Sequence, residues 1–401
     1  MGEVVHQRAR VSTGWSLPVA DAAGPDRTGG ARPETWLGAP APGGLALPSA
    51  LPSASQLYGP RGVWLDGERL IVADTGNHRV LIWHDPRPGS HAPADVVLGQ
   101  PGFASEGAQA GGRGPERGMR LPTGVLVHEG RLVVADAWNH RLLIWDEVPA
   151  ASDVAPDVIV GQTGPHDVDE NGGGPCRPTG FWWPFGLAVV AGRFWVADTG
   201  NRRVLGWDGI PEPGQAPAVV LGQPDGCSRD ENRGRLGPDS FRWPHDLAGT
   251  ADRLLVADAG NHRVLGWTPP PDGDGPADEV WGQPGFTTAD ELPYAPQSAA
   301  TLRFPYALAV DEGGGPGAGE VLAVADTANN RVLVWDGLPS RSGEPATRVL
   351  GQLDFAAVGE NRWDLVGSDT FCWPYGLSLH AGRLAVADSG NNRVMVWSLG
   401  P

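Results

Sequence analysis

The chain has 401 residues, a net charge of −17, and 30 basic residues, every one of them arginine. So acidic a balance disfavours nucleic acid and anionic membrane surfaces, which must be held by neutralising their phosphates. Glycine and proline, 59 and 39 residues, approach the ~25–30% at which a chain without a period reads as disordered, but here a strong period supplies a better reason for them. The exclusive use of arginine reads as the coding bias of a GC-rich bacterium.

Residues 1–30 carry no repeat and are expected to form a loosely held arm. They contain no apolar leader-like core, and no stretch of the chain reaches the ~18 apolar residues of a spanning helix. The expectation is therefore a cytoplasmic protein without a membrane segment. An odd number of cysteines, Cys176, Cys227 and Cys372, fits a reducing compartment and separate free thiols better than a disulfide framework or a soft-metal site.

From residue 31 onward one unit recurs to the end. It centres on Val72–Trp83 (VADTGNHRVLIW) and returns at 134–145, 196–207, 256–267, 324–335 and 386–397. Each copy has a β-rich half, a turn of residues that tolerate positive φ or bond their own backbone, and a second β-rich half, which is a hairpin. The repeated tryptophan at 83, 145, 207, 267, 335 and 397 is expected to pack between neighbouring sheets. The repeated aspartate is expected to cap turn N–H groups, and the arginine to hold a carboxylate through both arms of its fork.

The aspartates at 74, 136, 198, 258, 326 and 388 set periods of 62, 62, 60, 68 and 62 residues. That exceeds the ~40–45 residues of a minimal four-stranded blade, and the excess sits in one place. After each tryptophan comes a strand ending in Leu-Gly-Gln or its variant, as at Val96–Pro101, then a long polar loop. A third motif follows: GPRG at 59, LPTG at 121, WPFG at 183, WPHD at 243, FPYA at 304 and WPYG at 373. An apolar strand then leads back to Val-Ala-Asp.

Four short strands per unit, six units and no helical periodicity predict an all-β, six-bladed β-propeller of four-stranded antiparallel blades over 31–401. The last unit ends too soon for an outer strand, and Thr35–Gly38 is predicted to fill that place and close the ring. The five insertions, 103–120, 163–182, 225–242, 286–303 and 354–372, are expected on one face, where function usually lies in such scaffolds.

The three motifs in fixed order resemble the NHL-repeat family, whose Asn-His-Leu signature stands here as Asn77-His78-Arg79 and its kin. Positions 202, 330 and 392 lack the histidine, so it reads as a turn residue rather than a ligand. Some members of such a family bind RNA, which the charge disfavours here. Others are metal-dependent lyases or lactonases, whose ligands would point into the axis. The inner strands here are almost wholly apolar, and neither a Ser-His-Asp set nor a phosphate loop is present.

The residues after each motif proline should meet at the channel mouth: Arg61, Thr123, Phe185, His245, Tyr306 and Tyr375. Trp183, Trp243, Phe304 and Trp373 precede the proline and should rim it. An aromatic mouth suits a small ligand or a protein segment, and would equally serve to close the axis. His245-Asp246 is the one acid–base pair among these motifs, although neighbours on a strand point to opposite faces. Asp167, Asp169 and Asn171 match the first half of a calcium loop, but Pro178 stands where the bidentate glutamate belongs.

The expected function is a non-enzymatic scaffold that binds another protein or a peptide through the insertion-bearing face, with no cofactor. The alternative is a lyase- or lactonase-like enzyme acting at the mouth through Arg61, His245, Asp246, Tyr306 and Tyr375. Partner identity and oligomeric state are left open by the sequence.

Overall fold

The computed structural model of the chain describes residues 27–38, 51–291, 296–311 and 319–400. Most of the expected arm, residues 1–26, lies outside the described residues; Arg27 is within them, and its carbonyl accepts from Val349 N in the fifth blade.

Six four-stranded antiparallel sheets form the ring. In the first blade the strands are Gly62–Leu65, Leu70–Asp74, Arg79–Trp83 and Val96–Leu98, from axis to rim. The last blade takes Arg32–Gly38 as its outermost strand, paired antiparallel to Arg393–Ser398 from Arg32↔Ser398 to Gly38↔Arg393. The N-terminal strand thus completes the last blade as expected, three residues longer than the expected Thr35–Gly38.

Apolar side chains alternate along each strand, so every blade has two greasy faces and the core divides into six inter-blade layers. One layer holds Leu65, Leu70, Val72 and Trp83 of the first blade against Ala385, Ala387, Val394 and Val396 of the last. The repeated tryptophans lie in these layers. Trp83, Trp145, Trp207, Trp267 and Trp335 each donate their indole N–H to a loop carbonyl, such as Ala92 O for Trp83 at 3.0 Å.

The hairpin turn differs from expectation in how its polar residues are used. Asp74 caps no N–H of the short 3₁₀ turn Thr75–Asn77. Its Oδ2 accepts from Asn77 Nδ2 at 2.8 Å and Arg79 Nε at 2.7 Å, and its Oδ1 accepts from Tyr58 N at 2.7 Å. The arginine is not bidentate on the carboxylate either. Its two terminal nitrogens reach loop carbonyls instead: Phe103 O on the following insertion, and Ser53 O and Gln56 O on the segment before the blade. The geometry decides this, because the side chain runs along the turn and presents only Nε to its own aspartate.

The same arrangement recurs at Asp136/Arg141, Asp198/Arg203, Asp258/Arg263, Asp326/Arg331 and Asp388/Arg393, all buried. Glutamine of the Leu-Gly-Gln motif adds a second tie: Gln100 Nε2 donates to Asn77 O at 3.2 Å and to Gly107 O at 2.8 Å in the insertion.

The residue after each turn asparagine is left-handed, with φ near +55° at His78, His140, Arg202, His262, Asn330 and Asn392. Five of these side chains accept a hydrogen bond from the next blade. His78 Nδ1 takes Leu121 N, His140 Nδ1 takes Trp183 N, and His262 Nδ1 takes Phe304 N, at 3.0–3.2 Å. Asn330 Oδ1 takes Trp373 N, and Asn392 Oδ1 takes Gly59 N across the ring closure, both at 2.9 Å. That is why histidine and asparagine interchange here: each offers one acceptor at the same reach. The five donating residues all have positive φ. Arg202 has no acceptor; Trp243 N turns to Asp258 Oδ1 at 3.3 Å, and Trp243 is not left-handed.

Two outcomes follow for stability. Asp198→Asn leaves a buried guanidinium without its counter-charge, and should cost roughly 3–5 kcal/mol in chemical denaturation. The bridging histidines accept only when neutral, and burial pushes their pKa values down, to about 4 for His140. The unfolded chain therefore protonates first, near ~6.5. Stability should be full above that pH and fall as the pH drops from about 6.5 toward 4. Denaturation midpoints across that range should decline, and the triple variant His78→Asn, His140→Asn, His262→Asn should flatten part of the decline.

Candidate functional site

Four inner strands start at their motif proline (Pro184, Pro244, Pro305 and Pro374) and the other two, Gly62–Leu65 and Val125–His128, start just after it, so the residues after those prolines meet around the axis. The positions that follow are Gly62, Gly124, Gly186, Ala307 and Gly376, small because the next blade is close. A Cβ on Gly62 would lie 1.8 Å from Thr123 O, and one on Gly376 2.3 Å from Arg61 O. Asp246 is the exception at this level.

Arg61, Thr123, Phe185, His245, Tyr306 and Tyr375 together line an axial cavity of about 50 Å³. Their rings fill most of it. Phe185 and His245 have centroids 4.2 Å apart, His245 and Tyr306 4.2 Å, and Tyr306 and Tyr375 4.7 Å, the last two pairs stacked. The Arg61 guanidinium lies 4.7 Å over the Tyr375 ring and 6.0 Å from Trp138, whose edge meets Phe185 at 5.8 Å. Thr123 is buried, its hydroxyl directed to the carbonyls of Pro184 and Phe185. The result is a continuous stack of rings around the axis, capped by one cation.

His245 is a neutral member of that stack. Burial first, then the Arg61 charge, pushes its pKa down to about 3, against a hydrogen bond with the Tyr306 backbone. Burial and the neighbouring Tyr375 hold the Tyr306 phenol well above its usual range. Asp246 points elsewhere: its Oδ2 accepts from Leu308 N at 2.9 Å, and Leu247 N supplies a second bond. It also lines a cavity of about 430 Å³ in the opposite half of the channel, walled by apolar inner-strand residues. Burial raises the Asp246 carboxyl to about 7. Both residues border the axial cavity, but Asp246 is bonded to the backbone of Leu308 while His245 is bonded to the backbone of Tyr306, so their hydrogen-bond partners differ.

Above the stack, on the insertion-bearing face, lies an open basin of about 240 Å³. Trp138, Trp182, Trp183 and Trp243 wall it; Arg61, Phe185, His245, Tyr306 and Tyr375 form its floor, with Arg202 at the side. Trp182 and Trp183 centroids are 5.3 Å apart, and Trp138 lies 5.7 Å from Trp183. Guanidinium groups back the outer walls: Arg229 over Trp182 and Arg242 over Trp243, each at 5.0 Å.

Phe304 and Trp373 line neither cavity. Phe304 packs edge-on against His262 at 4.4 Å, and Trp373 donates its indole N–H to Glu360 Oε1 at 2.9 Å on the rim. Trp138, Trp182 and Arg202 were missed by sequence reasoning. Trp138 had a legible signal, since it replaces the glycine or alanine of the other turns (Gly76, Gly200, Gly260, Ala328, Gly390).

In the Asp167–Asn171 segment, Asp167 accepts from the Thr163 hydroxyl. The Asn171 amide is consumed by a reciprocal pair with Asn201 at 2.9 and 3.2 Å. Asn232/Asn261 and Asn361/Asn391 repeat that pair, so the Glu-Asn turn docks an insertion onto a hairpin. Among the described residues no three His, Cys, Asp or Glu side chains converge on one point, and no helix is long and apolar enough to cross a membrane.

An NHL-repeat family model matches residues 57–83, the inner part of the first blade. NHL repeat-containing protein 2 of Gallus gallus is 28% identical over 387 residues, covering 87% of this chain and 48% of the relative. The chain is a six-bladed β-propeller whose first blade matches the NHL repeat. It spans about half the length of that curated relative, 48%. Among solved structures, virginiamycin B lyase from Staphylococcus aureus is 12% identical with a TM-score of 0.45, over 87% of this chain and 97% of that one. An auxiliary nutrient binding protein from Bacteroides thetaiotaomicron is 10% identical with a TM-score of 0.49, over 85% and 69%. At these values neither likeness bears on what this propeller does.

Asp246 gives the site a measurable pH signature. Its folded pKa lies above the unfolded value of ~3.9, so its contribution is present at low pH and lost as pH rises through about 7. Asp246→Asn keeps an acceptor for Leu308 N and removes the charge. It should stabilise the propeller at pH 8 by about 1 kcal/mol or more, with the gain shrinking toward pH 5 in thermal or urea melts.

Proposed function

We propose that this propeller is a non-enzymatic docking protein that seats a segment of another protein in the aromatic basin at its channel mouth. The observation that carries the reading is the pairing of an open, tryptophan-walled basin with a ring stack beneath it. Tryptophan and arginine are among the residues most enriched in binding hot spots, tryptophan because its rigid ring buries a large area at little entropic cost. The stack blocks the axis, so a ligand must lie across the face rather than thread the channel. The groups that an enzyme would use are engaged otherwise: His245 is a stacked neutral ring, and Asp246 accepts from backbone.

The lyase- or lactonase-like alternative would place its substrate in the basin, whose floor carries Arg61, His245, Tyr306 and Tyr375, because the axial space beneath, about 50 Å³, is far below the ~300 Å³ of ordinary small-molecule pockets.

The test is quantitative affinity capture from the native host with wild type beside a Trp138→Gly/Trp243→Ala chain. Glycine is what sister hairpins carry at the first position, so the fold should survive, as a melting curve would check. A protein held by the wild type and depleted at least tenfold by the variant supports docking at the mouth. Equal retention of all partners, together with a small molecule released from the wild type and seen by mass spectrometry, would replace docking with the small-molecule reading.

A further inference from the structure

Four of the insertions fold around the same left-handed turn. Three consecutive residues have positive φ: Gln109-Ala110-Gly111, Asn171-Gly172-Gly173, Asn232-Arg233-Gly234 and Asn361-Arg362-Trp363. In each, the first N–H donates to the residue two before the third motif: Met119 O, Phe181 O, Phe241 O and Phe371 O, at 2.8–2.9 Å. The third position is glycine in three loops, at φ of 67°, 77° and 78°. In the fourth it is Trp363, at φ 60°.

A side chain there is strained, because the left-handed region brings Cβ against the following carbonyl. Burial would compensate a tryptophan, but Trp363 is 80% exposed. Its ring lies over Gly359, where a Cβ would come within 2.6 Å of Trp363 Cδ1. The fold therefore carries both backbone strain and a bare indole at a position where glycine serves the sister loops. Strain without local compensation points to a task at that residue.

The surroundings specify the task. Leu353, Leu365 and Trp373 are also exposed in the same segment, 353–373. Asp354, Glu360 and Asp364 are exposed among them. The nearby cation, Arg362, is turned inward to Gly351 O, Asp369 O and the Asp369 carboxylate. The loop thus exposes apolar, aromatic and anionic side chains together, on a chain of net charge −17 without lysine.

We infer that the 353–373 loop is a docking site for a basic, amphipathic protein segment, whose lysine or arginine lies over the Trp363 indole while its apolar residues meet Leu353 and Leu365. The ring attracts a cation through its quadrupole, the three carboxylates add long-range attraction, and the leucines supply burial. This rests on the reading that the insertion-bearing face receives a protein segment, and names where its charged part sits.

The experiment titrates the full chain with a lysine–leucine amphipathic peptide, following tryptophan emission. Its controls are the same peptide with glutamate for lysine, and phosphatidylcholine vesicles. Trp363→Gly should melt at an unchanged temperature or about 1–2 °C higher, since the strain is relieved. It should weaken the basic peptide at least tenfold, Trp363→Phe should retain most of the binding, and Asp354→Asn/Asp364→Asn should reduce both affinity and its salt dependence. Equal binding by Trp363→Gly, no binding of the basic peptide, preference for the acidic one, or Trp363-dependent binding to vesicles would each overturn the inference.

Running the same titration on the Trp138→Gly/Trp243→Ala chain separates the two readings. Peptide binding intact there but lost in Trp363→Gly supports the loop whatever becomes of the mouth. Loss of a captured partner in the mouth variant alone, with Trp363→Gly binding every ligand normally, would sink the loop inference and leave the mouth standing.

Discussion

The buried aspartate–arginine pair of each hairpin is the constraint on which the rest depends. Six carboxylates and six guanidiniums are withdrawn from water, and such burial is tolerable only when the remaining donors and acceptors are satisfied. The spare donors of the guanidinium are what reach out. They bind carbonyls on the segment before the blade and on the insertion after it, as Arg203 does with Arg177 O, Gly180 O and Gly226 O. A charge pair that is weak as a source of stability is thereby used to set loop positions. The long insertions, which would be entropically loose on their own, are pinned at their roots to the rigid part of each blade.

The blades in turn are registered to each other by smaller devices. Thr75, Thr199 and Thr327 hydroxyls donate to the motif-proline carbonyl of the next blade, and Ser389 does so across the closure to Pro60. The histidine or asparagine after the turn accepts from the residue before that proline. Because five such donors are left-handed, their side chains are swung by backbone geometry rather than by strand alternation. Trp183 reaches the basin in this way. Trp243 reaches it from a different backbone conformation, in the one junction where arginine replaces the acceptor. The basin is therefore asymmetric: its tryptophans come from the second, third and fourth blades, and the exposed loop tryptophan from the insertion leading into the sixth.

This asymmetry matters because a propeller of near-identical units has no preferred side. Substitutions at equivalent positions supply one. Trp138 for glycine in a turn, Asp246 for glycine or alanine at the axis, Arg202 for an acceptor and Trp363 for a left-handed glycine each depart from the repeat, and each lies near a cavity or on an insertion. Departures from a structural repeat cost local consistency, and are where function is expected to have acted.

The repeat itself was legible in the chain, and with it the six blades, the four strands in each, the N-terminal strand that closes the last blade, and the circle of Arg61, Thr123, Phe185, His245, Tyr306 and Tyr375. These follow from local rules: period-two patterning, turn residues and a unit length too long for three strands and too regular for separate domains. What the side chains do once they meet was decided only by tertiary structure. Whether an arginine grips a carboxylate with two nitrogens or one depends on which carbonyls lie within reach from distant loops. Whether His245 titrates or stacks depends on rings supplied from residues 185 and 306, and whether Trp138 walls a basin depends on the blade beside it. Sequence period determines which positions share a face; only the closing of the ring brings different blades to one axis and so sets the distances on which chemistry depends.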